Sequence, residues 1–204
     1  MTGPYRGKRV VDLAILAVVA VPAVVLAVPC AVAVKLTSPG PVLFRQERFG
    51  RIGRPFELLK FRTMTTGPNA LIPDQADITR VGAMLRRISL DELPQLLNVA
   101  RGEMSIVGPR PTLAYQVDRY TDTQRRRLCV NPGVTGWAQL QGRNEIPWAR
   151  RIEYDLEYID TLQSPARDVS ILIRSVLAAL TGGGVEGHPA DDPIARPPVE
   201  ETTA

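Results

Sequence analysis

The stretch LAILAVVAVPAVVLAVPCAVAV, Leu13 to Val34, constrains this chain more than any other part of it. It holds 22 residues and no charge. A straight helix of that length reaches roughly 33 Å, about the thickness of a bilayer's hydrocarbon core. Hydrocarbon offers the backbone no hydrogen-bond partner, so a run placed there must be helical. Pro22 and Pro29 complicate this picture. Each removes a helix hydrogen bond and pushes the chain to bend. Counted from Leu13, only about 13 Å of helix precedes Pro22.

The flanks add a second constraint. Lys8 and Arg9 precede the run, with Arg6 close by, and Lys35, Arg45, Arg48 and Arg51 follow it. A simple span carries positive charge mainly on its cytoplasmic side. Here both sides are basic. A segment that enters, bends at proline and leaves on the same face accounts for this; a proline-kinked single span is the other reading. No clear cleavage site closes the run and a globular sequence continues past it, unlike a removable signal. Asp12, just inside the run, is expected at the interface, paired with Lys8 or Arg9.

The chain has 204 residues, which suits one domain with a real core, or a smaller domain plus an attached segment. Its net charge of +4 points to an anionic partner: phosphate, nucleic acid or an acidic membrane surface. Cys30 and Cys129 make no disulfide framework, which favours a reducing compartment. The single histidine, His188, lies in a Gly/Pro-rich tail, so a His-based triad or His-rich metal site is not expected.

Beyond the TSPGP turn at 37 to 41, PVLFRQERFG and RPFELLKFRTM read as two strands of a basic hairpin. Residues 65 to 77 read as a loop. Ile78, Val81, Leu85 and Ile88 have helical spacing, with Arg80, Arg86 and Arg87 on that helix. GEMSIVGPRP is a short strand ending in a turn. Helices are expected over 114 to 128, 152 to 162 and 168 to 180, with NPGVTGWAQLQGRN turn-rich between them. The last helix carries Val169, Ile171, Leu172, Ile173, Val176, Leu177 and Leu180 and only Arg174 as a charge after its first residue. Its apolar face suits a membrane surface, or equally the core. From Gly182 the Gly-, Pro- and acid-rich composition predicts disorder.

SLDELPQLLNV, residues 89 to 99, carries the most suggestive chemistry. Asp91 and Glu92 are adjacent, and Leu93, Leu96 and Leu97 follow on one helix face. The bland explanation is capping. Ser89 with Glu92 matches a capping box, or Asp91 is the N-cap with Pro94 in the first turn. The alternative is a reaction site. Lys60, Arg62, Arg86, Arg87 and Arg110 all fall near predicted element ends or turns. Two carboxylates among such cations suit Mg²⁺ and a phosphate ester: carboxylates hold the metal, arginines clamp phosphate oxygens, and one acid can attack phosphorus. A standard nucleotide cradle is absent, since neither a Walker A sequence nor G-x-G-x-x-G occurs.

Four stretches occur in order: KRVVD, VKLTSPGPVLFRQERFGRIGRPFELLKFRTM, SLDELPQLLNVARGEMSIVGPRP and NPGVTGWAQLQGRN. On these the chain resembles the bacterial sugar transferases, the monotopic polyprenyl-phosphate hexose-1-phosphate (phosphoglycosyl) transferases, over about Lys8 to Thr181. The resemblance implies transfer of a sugar 1-phosphate from a UDP-sugar to a polyprenyl phosphate with release of UMP. It implies Asp91 as nucleophile, with Glu92 joining it in binding Mg²⁺. Lys60, Arg62, Arg86, Arg110 and Arg143 take substrate-contact roles by the same resemblance. It implies an α/β fold: a compact cytoplasmic catalytic domain (37–181), an N-terminal re-entrant membrane helix broken at proline (1–36), surface amphipathic helices, and a disordered tail (182–204). Pro22 is the expected break. The enzyme would be monotopic on the cytoplasmic face of the cell membrane, in contact with its lipids.

Two departures from the family pattern stand out. Val21 replaces the serine some members carry before the proline, and Asp77 stands where an arginine is frequent. The family's long members carry further N-terminal helices; this sequence reads either as a minimal member, which the opening MTGPYRGKR favours, or as a catalytic domain cut from a longer one. A second reading, from a different class, is a non-catalytic membrane-anchored basic module binding anionic lipid or nucleic acid. No basic-aromatic array of the RNA-binding kind is visible, so nucleic acid is not expected as a partner.

Overall fold

A computed structural model describes residues 3–65, 78–142 and 146–180. Most of the expected loop 65–77, with Asp77, lies outside the described residues, as do Arg143 and the expected tail with His188. Within them the fold is a mixed helix and sheet domain behind one long apolar N-terminal helix.

That helix, α1, is Lys8–Thr37, a single element with Pro22 and Pro29 inside it. The break expected at Pro22 does not interrupt it. It is long and apolar enough to cross a membrane. Its middle is bare: Val18 is 77% exposed and Val21 71%. Its two ends are not. Near the start, Lys8 and Asp12 are buried, and Arg9 donates to the carbonyls of Val99 and Ala100 at 2.5 and 2.9 Å. Near the end, Cys30 and Val34 pack with Phe61 and Leu85.

The hairpin forms as expected. β1 (Leu43–Phe49) pairs antiparallel with β2 (Pro55–Phe61), with Phe44 opposite Lys60. The other edge of β2 is closed by a side chain. Asn98 Oδ1 accepts from Leu59 N at 3.1 Å, and its Nδ2 donates to Glu57 O at 2.7 Å. One buried amide thus satisfies two strand groups that would otherwise be orphaned. Asn98 belongs to α3 (Gln95–Arg101), so this bond docks α3 on β2.

α2 (Arg80–Arg87) starts at Thr79, whose hydroxyl accepts from Gly82 N. A Cβ on Gly82 would lie 2.0 Å from Thr63 O, so only glycine lets α2 pack this closely on the chain leaving β2. β3 (Ser105–Val107) is joined by a strand that periodicity does not reveal, β4 (Gly133–Thr135), parallel to it with Ser105 opposite Gly133. Three residues are too few to show a period.

The helix expected over 114–128 is two short helices, α4 (Ala114–Asp118) and α5 (Asp122–Arg125), then a 3-10 turn to Cys129. Thr121 restarts the chain: its hydroxyl accepts from Gln124 N, and Gln124 Oε1 accepts from Thr121 N. α6 (Trp137–Gly142) follows in the turn-rich stretch, and α7 (Trp148–Glu157) begins earlier than its periodicity implies, after Pro147. α8 (Pro165–Leu180) turns Ile171 inward and leaves Val169, Ile173, Val176, Leu177 and Leu180 exposed. Met104, Ile106, Val107, Val99, Tyr158 and Ile171 form the main core.

Candidate active site

Asp91 and Glu92 do not cap a helix. They lie in a separate 3-10 turn, Leu90–Glu92, ahead of α3, whose own N-cap is Pro94. Ser89 makes no capping bond and takes φ +58, a conformation uncommon for a residue with a side chain. Both capping explanations for the pair therefore fail. The strained Ser89 turns the chain out of α2 so that two acids are presented side by side.

Lys60, near the end of β2, reaches both. Its Nζ is 2.8 Å from Glu92 Oε1 and 3.7 Å from Asp91 Oδ2. Arg110, in the Gly-Pro-Arg-Pro turn after β3, brings both terminal nitrogens to 3.4 Å from the same Glu92 oxygen. Asp91 is buried at 3% exposure. Burial by itself pushes the Glu92 carboxyl up, but Lys60 and Arg110 together outweigh it and hold the group at about 2. Glu92 is thus an anion at any physiological pH. Arg86 occupies the last turn of α2, which packs on the 3-10 turn.

Arg62 is placed differently. Two residues beyond Lys60, it is buried, and its Nη2 donates to the carbonyl and hydroxyl of Ser38 at 2.6 and 2.7 Å. These bonds go to Ser38, the C-cap of α1, and not to the carboxylate pair. Arg143 lies outside the described residues.

Three positioning residues escape sequence reasoning. Asn98 fixes α3 to β2 and so sets the turn against Lys60. A polar residue interrupting an apolar helix face was its only signal. Arg127, 2% exposed, donates to Arg110 O at 3.0 Å and to Asp155 Oδ2 at 2.5 Å, and its guanidinium lies 5.4 Å from the Trp148 ring. The buried Arg127–Asp155 pair therefore backs the turn that presents Arg110. The two residues are 28 apart in sequence, and no local pattern joins them.

Fold and site define a class. A domain seated behind a membrane-length helix holds two carboxylates among cations, a design for anionic, phosphate-bearing substrates. A family model described as bacterial sugar transferase matches residues 4–182. A relative described as an uncharacterized sugar transferase of Bacillus subtilis is 46% identical over 156 residues, 75% of this chain and 77% of that one. The UDP-glucose:undecaprenyl-phosphate glucose-1-phosphate transferase of Caulobacter vibrioides is 44% identical over 190 residues, 85% of this chain and 70% of its own. A UDP-N-acetylgalactosamine-undecaprenyl-phosphate N-acetylgalactosaminephosphotransferase of Aeromonas hydrophila is 39% identical over 87% of this chain, which spans 44% of that longer protein. The chain belongs to the bacterial sugar transferase family. It is an enzyme, a transferase, which sets aside the non-catalytic lipid- or nucleic-acid-binding module.

Proposed function

We propose that this enzyme moves a sugar 1-phosphate from a UDP-sugar to a polyprenyl phosphate of the undecaprenyl type, releasing UMP, as the first membrane step of glycoconjugate or exopolysaccharide assembly. The observation that carries this reading is Lys60 bridging two adjacent acids that have no capping role, one of them buried. The names of the Caulobacter and Aeromonas relatives share the UDP donor and the lipid phosphate and differ in the sugar. The proposal follows what they share.

The chemistry assigned to the residues is a double displacement. An Asp91 oxygen attacks the phosphorus that bears the sugar, the bond to the UMP oxygen breaks, and UMP leaves with the electron pair. An oxygen of the polyprenyl phosphate then attacks the same phosphorus, and Asp91 departs as a carboxylate. Lys60, Arg86, Arg110 and Arg143 hold phosphate oxygens. Among the described residues no group of three or more acids, histidines or cysteines could hold a metal. Asp91 and Glu92 fit Mg²⁺ nonetheless, because this ion is commonly held by one or two carboxylates plus substrate phosphates. Both cations on Glu92 converge on Oε1; Asp91 and Glu92 are the residues that would hold the ion. Bound there, Mg²⁺ would neutralise charge on the donor phosphates.

The two ends of α1 support a topology. Arg9 is tied to α3 and Val34 packs against β2, and Asn98 ties α3 to β2. Both ends therefore meet one folded body while the middle is bare, which supports a re-entrant segment with both ends on the cytoplasmic face. Pro22 is the residue at which it would bend. Cysteines at Gly3 and Thr37, in a background lacking Cys30 and Cys129, test this. Both should resist an impermeant thiol reagent until intact cells are opened. Labelling of position 3 alone from outside would establish a span.

The reaction itself is tested with UDP-sugar alone, across a panel of sugars. Up to one equivalent of UMP should appear, with a sugar phosphate mass added to Asp91. If no UMP forms before lipid is supplied and no adduct is trapped, the covalent route is wrong.

A further inference from the structure

Arg62 holds a charge that the fold leaves unanswered. It is 4% exposed, and its Nε and Nη1 have no hydrogen-bond partner. No described carboxylate forms an ion pair with it, and its two hydrogen bonds to Ser38 both fall on Nη2. A buried guanidinium without a counter-charge is costly unless an anion completes it. Its position says which anion. Ser38 is the residue that ends α1. Gly40, exposed and at φ +116, lies so close that a Cβ there would be 2.4 Å from Nη1. The guanidinium thus sits one residue beneath the surface at the point where the membrane-length helix leaves the domain. Arg62 is also two residues past Lys60, just beyond the end of β2, where its backbone N donates to Val42 O at 2.9 Å. Lys60 serves the carboxylate pair; Arg62 is the next cation toward the apolar segment.

We infer that Arg62 is the seat of a phosphomonoester, the phosphate of the lipid acceptor, held by Nε and Nη1 in the paired geometry arginine gives to phosphate. This rests on the transfer reaction proposed above and assigns the acceptor's half of it. An acceptor phosphate oxygen, held between Arg62 and the carboxylate turn, forms the new bond to the sugar-bearing phosphorus as the Asp91 oxygen leaves. Arg62 moves no proton; it orients the attacking group and balances its charge.

The two half-reactions separate the outcomes. With UDP-sugar alone, Arg62→Gln should still give the UMP burst. Transfer of the trapped sugar phosphate to polyprenyl phosphate in vesicles should fall about 100-fold, and about tenfold for Arg62→Lys, which keeps charge but loses the fork. Ser38→Ala, which removes one contact of Arg62 and neither open donor, should leave both steps intact. Equal loss of both half-reactions in Arg62→Gln and Arg62→Lys would overturn the assignment, as would loss of transfer in Ser38→Ala. Inorganic phosphate that blocks transfer at concentrations matching the lipid would reassign the seat to free phosphate. Absence of any UMP burst in the unaltered enzyme would instead remove the underlying reaction, a result distinct from failure at Arg62.

Discussion

Two places in this molecule pair one lysine with two carboxylates, and they are built for opposite ends. Lys8 lies 2.7 Å from Asp12 and 3.0 Å from Asp168. Lys60 lies 2.8 Å from Glu92 and 3.7 Å from Asp91. Around Lys8 the protein supplies further donors. Asp12 also accepts from Ser105 Oγ and Ile106 N, and Asp168 from Tyr158 and Tyr5. These bonds join the start of α1 to β3 and α8. Around Lys60, two cations crowd one oxygen of Glu92, and Arg110 keeps 32% of its side chain exposed. The first cluster is filled by the fold; the second keeps reachable cations beside its acids. The same residue types give an anchor in one place and a reaction site in the other, and hydrogen-bond saturation separates them.

The comparison breaks most sharply on asparagine substitutions. Asp91→Asn should cut turnover by about 10⁴-fold or more while leaving thermal unfolding nearly unchanged, because an amide is no nucleophile. Asp168→Asn should do the reverse. Lys8 would lose one of its two counter-charges in a buried site, at a cost of about 3 kcal/mol in unfolding free energy. Turnover per folded molecule should change by no more than about twofold. If Asp168→Asn lowers turnover at unchanged stability, the anchor is part of the chemistry and the distinction fails.

Arg86→Lys sharpens the reaction-site half. A role as phosphate clamp requires the planar fork, so lysine should lower kcat/KM for the UDP-sugar by about tenfold, with stability retained. A rate near that of the unaltered enzyme would remove Arg86 from the clamp.

The unequal legibility of the two clusters has a physical cause. Asp91 and Glu92 are neighbours in sequence and stand out as a pair, and Lys60 falls in a strand with clear β character. The hairpin, α2 and α8 followed from periodicity. Lys8 and Asp12 are one helical turn apart, so their pairing was readable too. Asp168 is 160 positions from Lys8, and nothing local ties them. The same holds for Arg127 with Asp155 and for Asn98 with β2. Arg62 reads as a substrate cation through the resemblance, but its burial against Ser38 is set by the fold and has no local signal. The helix expected over 114–128 failed because Thr121 and Gln124 form a new cap inside an otherwise helical run. Capping at Ser89 or Asp91 failed because the motif matches in sequence while Ser89 takes a left-handed backbone.

The two clusters should also fail at opposite ends of the pH scale, and this is the smallest of the expected effects. Glu92 is held at about 2, below the ordinary carboxylate value of about 4.3. Between these values the unfolded chain binds the proton and the folded chain does not, so stability rises with pH there. The contribution of Glu92 is complete above the unfolded value and disappears as pH falls through the folded one. Set against Glu92→Gln, the difference in unfolding free energy should be flat from about pH 6 to 8 and should shift in favour of the glutamine variant below about pH 4. At the anchor the direction reverses. Burial, then Asp168, raises Tyr158 and Tyr5 above the usual phenol range. The folded state keeps those protons after the unfolded chain has begun to lose them, so stability falls as pH rises past about 10. Tyr158→Phe should flatten that alkaline slope and leave the acid side untouched. An alkaline slope equal in Tyr158→Phe and the unaltered enzyme would show that the Lys8 cluster does not set the upper limit. An acid slope unchanged by Glu92→Gln would show that Lys60 and Arg110 do not hold Glu92 as tightly as their geometry requires.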